Sequence, residues 1–169
     1  MRKKLLFVIL LILSLLFLIS YFNYTKSKTE NSYESIFRNN LNQTIKQNTS
    51  FNMINITAFK WDKMYVFPPY TTRAQMHTKI GIEWTTADTY IGYLIQKTSI
   101  GDYPLDDDSV HKLVFIKDNK VICDCTLLRE YGDFTFAKDI VDSDNAIFLI
   151  SISENKIPKI INKEPPSQP

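Results

Sequence analysis

Few side chains in this sequence stand at spacings that do chemistry, and each has a plainer structural alternative. The two histidines, His77 and His111, are far apart, and neither has a Ser, Cys or carboxylate motif beside it to make a nucleophile or a zinc site. The two cysteines, Cys123 and Cys125, would sit on one face of a strand, where same-face neighbours are about 7 Å apart, too far for a relaxed disulfide. No clustered ligand joins them, so they read as small buried apolar residues and no metal is expected. Asp106, Asp107 and Asp108 are acidic enough to draw a divalent cation but lack the ligand spacing of a calcium loop. They read as a solvated turn. With only four glycines there is no phosphate-cradling loop, and no cofactor is expected.

What stands out is aromatic. Phe, Trp and Tyr make up 13% of the chain, and Trp61, Tyr65, Tyr70 and Trp84 gather around a double proline with Asp62 and Arg73 among them. These six residues are the candidate binding set. Trp, Tyr and Arg carry much of the binding energy at interfaces. The competing reading, that the rings fill a small core, is the more economical one.

The elements that must position this set are legible around it. Residues 63–67 alternate, with Met64 and Val66 on one side and Lys63, Tyr65 and Phe67 on the other, as a strand covered on two faces would. Pro68 and Pro69 end it, since neither donates a ladder hydrogen bond. Thr72 followed by Gln75 is a capping box, so residues 73–80 are predicted to be a short helix. Met76 and Ile80 share a face of it, and Gly81 stands where a left-handed exit belongs.

The run WDKMYVFPPYT, the Ile-Gly and tryptophan after the helix, and a later LVFIKDNKVI hairpin resemble a family of small membrane-anchored or lipoprotein-type extracytoplasmic proteins of Gram-positive bacteria. The resemblance covers roughly residues 55–153. It implies location and architecture, and no reaction. Many such proteins carry a lipobox cysteine; the N-terminal segment here has none, so a peptide anchor takes its place.

That anchor is expected at residues 5–22, from Leu5 to Phe22, an uncharged run with only Ser14 and Ser20 as polar groups. At 1.5 Å per residue it spans about 27 Å, close to the hydrocarbon thickness. Residues 1–4, with Arg2, Lys3 and Lys4, form a basic flank that suits the cytoplasmic side. No small-x-small site closes the run, so an uncleaved signal anchor is favoured over a signal peptide. Beyond the flank, basic residues nearly balance the 18 acidic ones, which speaks against a nucleic-acid partner.

Residues 23–49 are expected to hold a polar linker and then an amphipathic helix with Tyr33, Ile36, Phe37, Leu41 and Ile45 on its stripe. Residues 50–160 read as one extracytoplasmic domain. It opens with a strand at 52–59, and a helix is favoured over a strand at 85–99. The clearest hairpin turns at Asp118-Asn119. That loop pairs Ile116 with Val121 and Val114 with Cys123, with Leu113, Phe115 and Ile122 on the opposite face. Residues 129–144 are expected to be irregular or edge structure, 145–153 a last strand, and 161–169 a disordered tail.

The fold class is therefore α+β: a mostly antiparallel sheet of four or five strands with helices on one face, behind one transmembrane helix. Two function classes remain open. The favoured one is a non-enzymatic, membrane-tethered module that binds an envelope protein or a cell-wall polymer. The alternative is a cell-envelope hydrolase or transferase working through paired carboxylates, which a deep pocket holding two perturbed carboxylates would favour.

Overall fold

The computed structural model describes residues 2–99, 101–152 and 157–163. In chain order the elements are α1 (Arg2–Ser27), α2 (Glu34–Gln47), β1 (Ser50–Asn52), α3 (Met53–Ile56), β2 (Lys63–Phe67), α4 (Arg73–Ile80), α5 (Tyr90–Gln96), β3 (Val110–Lys117) and β4 (Lys120–Leu128). Short 3-10 turns follow, interleaved with β5 (Ile140–Asp142), β6 (Ile147–Ile152) and β7 (Pro158–Asn162). The fold is α+β, with two antiparallel sheets behind a long apolar N-terminal helix.

The larger sheet has the order β4-β3-β2-β5 and the smaller β1-β6-β7. Strand alternation sends the side chains of the larger sheet into two separate cores. Met64, Val66, Leu113, Phe115, Cys123 and Cys125 join Phe37, Leu41 and Ile45 of α2 and Phe148 and Ile160 of the smaller sheet. Tyr65, Phe67, Val114, Ile116 and Val121 face the other way, against Met76 of α4 and Trp84. Helices thus cover both faces of the larger sheet.

The local signals around β2 act as their chemistry requires. The Thr72 hydroxyl accepts from the Gln75 amide at 3.1 Å while the Gln75 side chain accepts from the Thr72 amide at 2.8 Å, and Gly81 exits α4 at φ 77°. In the β3–β4 turn Asp118 and Asn119 both hold positive φ, 49° and 58°, the twist that a two-residue hairpin favours. The α2 stripe is buried through Phe37, Leu41 and Ile45, and residues 90–96 are helical.

Four expectations need correction. First, the hairpin register slips between Phe115 and Ile116, so Val114 faces Asp124 and Phe115 faces Cys123. Ile122 is the extra residue of a β-bulge, which turns the rest of β4 over. Both cysteines therefore lie with Leu113 and Phe115, away from Val114.

Second, the strand expected at 52–59 stops at Asn52, whose Oδ1 accepts from the Ile54 amide at 3.0 Å and caps the single turn α3. Met53 and Ile56 are buried by that turn, and Ile54 is exposed. Third, residues 23–27 are no linker but the last turns of α1, and Thr85 and Thr29 extend the join with backbone bonds of 2.9 Å. Fourth, Ile161 and Asn162 belong to β7 rather than to a tail; the remainder of that expected tail, 164–169, lies outside the described residues.

Phe115 is the densest point of the first core, fully buried with ring centroids 5.0 Å from Phe37, 5.2 Å from Phe59 and 5.3 Å from Trp61, all edge-on. Phe115→Ala is expected to destabilise the domain by about 3–5 kcal/mol. A urea melt showing a loss below that range would mean that the neighbours collapse into the space.

Candidate functional site

The sheet divides the six candidate binding residues. Trp61 belongs to the first core, whereas Tyr65 and Trp84 belong to the second, on the opposite side of β2. Tyr70 is exposed at φ 63°, just past the prolines. Arg73 opens α4 and lines a separate cleft of about 380 Å³ with His77, Glu83, Lys97 and Asp102. Only Trp61 and Asp62 share a site.

That site is a cleft of about 540 Å³, floored by α3 and the loop after it and lined by Ile54, Thr57, Phe59, Lys60, Trp61, Asp62, Lys117 and Ser143. Trp61 is fixed from two directions, its Nε1–H donating to Thr57 Oγ1 at 3.2 Å and its ring meeting Phe115 edge-on. Asp62 closes the rim. Its Oδ1 accepts from Lys117 Nζ at 2.7 Å and its Oδ2 from the Asp118 amide at 2.9 Å. Those two donors hold its carboxyl below the ordinary range. The cleft therefore combines an apolar floor with charged groups of both signs at the rim, a lining and size that suit a bound ligand.

A polar knot on the other face went unread in the sequence. Asp124 Oδ2 accepts from Trp84 Nε1–H at 2.8 Å, while its Oδ1 pairs with Lys112 Nζ, both charged side chains being buried. Asn31 completes it, accepting from the Asp124 amide and donating to the Asp124 carbonyl, both at 2.8 Å. Trp84 is thus a structural ring with its one donor spent on a core carboxylate. The signal was a Lys and an Asp in strands apolar on both faces, but the unbulged register placed them on opposite sides.

The remaining reactive side chains are buried. Burial pushes the Cys125 thiol up to about 12 and raises Cys123 as well, so both rest as thiols. His111 is fully buried against Phe134, with neither ring nitrogen partnered, and burial lowers it to about 4. Asp133 beside it is pushed up by burial and more than pulled back by Arg129 and Thr135. Arg129 Nη2 reaches its Oδ2 at 2.7 Å. No group of three or more His, Cys, Asp or Glu side chains is placed to hold a metal among the described residues.

Two variants test these assignments. Asp124→Ala leaves Lys112 charged and unpaired and the Trp84 donor unmet, and is expected to cost about 3–5 kcal/mol. Replacing the pair together, Lys112→Met with Asp124→Leu, should cost much less, and equal losses in urea melts would show that the charge pairing is not what matters.

His111 sets an acid limit. Its folded-state pKa lies below the unfolded value, so the unfolded chain takes the proton first as pH falls. The stability from keeping it neutral is complete above about 6.5 and lost on descent to about 4, up to about 3 kcal/mol in all. His77, also lowered by burial, adds in the same direction. His111→Leu should flatten the stability–pH curve across that window; an unchanged curve would assign the acid limb elsewhere.

Comparison of the chain with protein-family models, with curated proteins and with solved structures finds no match.

Proposed function

We propose that the protein is a non-enzymatic, single-pass membrane-tethered module of the cell envelope, with its α+β domain on the extracytoplasmic side and the Trp61–Asp62 cleft as the surface that engages a partner. The observation that carries this reading is α1. From Leu5 to Ile19 its large apolar side chains are all exposed, and none of its apolar window is buried against the domain. A helix of that length and composition is suited to the hydrocarbon core of a bilayer. Lys3 and Lys4 at its start favour the cytoplasmic side for the N-terminus, which sends the domain outside.

The cleft supports a binding role over the carboxylate-hydrolase alternative. The carboxyls with a resolved shift, Asp62, Asp107 and Asp133, are all held below the ordinary range, the reverse of what a general acid needs. A mixed apolar and charged lining suits an envelope protein or a wall polymer whose surface carries both kinds of group.

Carbonate-washed membranes from intact cells should retain the full-length chain, with the domain open to protease from outside. In-cell cross-linking should capture a partner through the cleft, and Lys60→Glu, at an exposed rim position, should reduce that capture while leaving the melting temperature unchanged. A soluble, trimmed product would refute the tether. Capture indifferent to Lys60→Glu would move the partner surface elsewhere.

A further inference from the structure

The outer face of α5 is unusual for a surface helix in water. Of its seven residues only Tyr93 is buried, while Ile91 is 70% exposed, Ile95 52% and Leu94 41%. Its place in the fold supplies the reason. The Tyr90 ring lies 5.3 Å from Phe17 and 5.5 Å from Tyr21 of α1, and Tyr93 lies 5.4 Å from Tyr24. Hydrogen bonds fix the joint, the Tyr24 hydroxyl donating to the Asp88 carbonyl at 2.9 Å and lying 3.2 Å from that of Ala87.

Depth along α1 then decides what surrounds α5. A helix rises 1.5 Å per residue, so Phe17 lies about 8 Å inside the end of an apolar run that closes at Phe22. The Tyr90 ring lies 5.3 Å from Phe17, 5.5 Å from Tyr21 and 5.8 Å from Tyr24, so it sits between their levels, around the end of that run. Helices that lie in the bilayer interface bury their apolar face about 5–10 Å into the headgroup and acyl boundary. The end of the run, where Tyr90 lies, is that boundary.

From these contacts we infer that α5 is an interfacial helix, with Ile91, Leu94 and Ile95 seated in the leaflet from which α1 emerges. The cluster of Tyr21, Tyr24, Tyr90 and Tyr93 rings then lies at headgroup level, where such rings are favoured. Cations sit at the same rim, Lys28 Nζ 5.8 Å from the Tyr24 ring centre and Lys97 Nζ 4.9 Å from that of Tyr93, placed to meet lipid phosphates. The inference rests on the reading of α1 as a membrane span and deepens it: the domain is seated on the bilayer in one orientation.

The test uses the full-length chain in vesicles of phosphatidylcholine and phosphatidylglycerol, with a polarity-sensitive thiol probe on Ile91→Cys or Ile95→Cys. Leu149→Cys, an exposed apolar position on the smaller sheet, is the matched control, and the unsubstituted chain reports any labelling of Cys123 and Cys125. Spin-labelled lipids should quench the probe at both α5 positions, shallow labels more than deep ones, and leave Leu149→Cys unquenched. If the chain floats with the vesicles yet the α5 probes match the Leu149→Cys control, the seating is wrong and the tether stands. If the chain does not float, both fail. A shielded probe that lipids do not quench, with cross-links between copies, would replace the bilayer by a second chain and overturn the inference.

Discussion

One buried aspartate, Asp124, joins the parts of this protein through its carboxylate and its main chain. Asp124 reaches Lys112 across the sheet, Trp84 in the connection between α4 and α5, and Asn31 in the segment between α1 and α2. It can do so only because β4 carries an extra residue at Ile122, which turns the following side chains over and brings Asp124 to the Lys112 face. A buried carboxylate without partners costs several kcal/mol, so once the bulge commits Asp124 inward Lys112 and Trp84 are constrained to meet it, while Asn31 bonds its main chain. The bulge also carries Cys123 and Cys125 into the first core, where their small side chains pack beside Phe37 and Phe115. Register, packing and the approach of the N-terminal segment thus follow from one insertion.

Elements fixed by neighbours in sequence were readable. A capping box, a left-handed glycine and an Asp-Asn turn each involve residues within four positions of one another, and Thr72, Gly81 and Asp118 behave as their chemistry requires. What depends on distant partners was not. The bulge leaves no local mark, because Val121, Ile122 and Cys123 all suit a strand. Asn52 could have continued a strand; its side chain caps α3 instead, and the i, i+3 pair Met53 and Ile56 gains more burial than the alternating set Ile54, Ile56 and Ala58 would. β7 was not legible because Pro158–Asn162 is short and opens on a proline, and its order comes from pairing with β6.

The candidate site was legible in part for the same reason. Trp61 and Asp62 are consecutive residues before β2 and reach one cleft. Tyr65 follows within the strand, and alternation sends it with Phe67 through to the other core, where Trp84 also lies. Closeness in sequence around the prolines suggested a single platform; the pleat of β2 separates it into two sides. Many of the rings are then accounted for by packing on one another, edge-on in the case of Phe115 among Phe37, Phe59 and Trp61. Trp61, though buried in the first core, is the ring that lines the cleft carrying Asp62, Lys60 and Lys117.

The close join between α1 and the domain bears on what the proposed tether would do. A flexible chain of n residues lets its cargo sample a volume that grows with n and leaves orientation free. Here α1 runs unbroken to Ser27, and Thr85 and Thr29 then continue the backbone bonding between the emerging chain and the domain. Tyr24 adds its own bonds to the Ala87–Asp88 carbonyls. The direction of α1 is therefore transmitted to the sheet through Thr85 and Trp84 to Asp124, and from β4 through β3 to β2 and the Trp61 cleft. With α1 as the membrane span proposed above, the Trp61 cleft would be held at a set height and angle above the surface from which α1 emerges. Under that proposal a rigid mounting would lower the orientational cost of docking for a partner of matching reach and withhold that advantage from others.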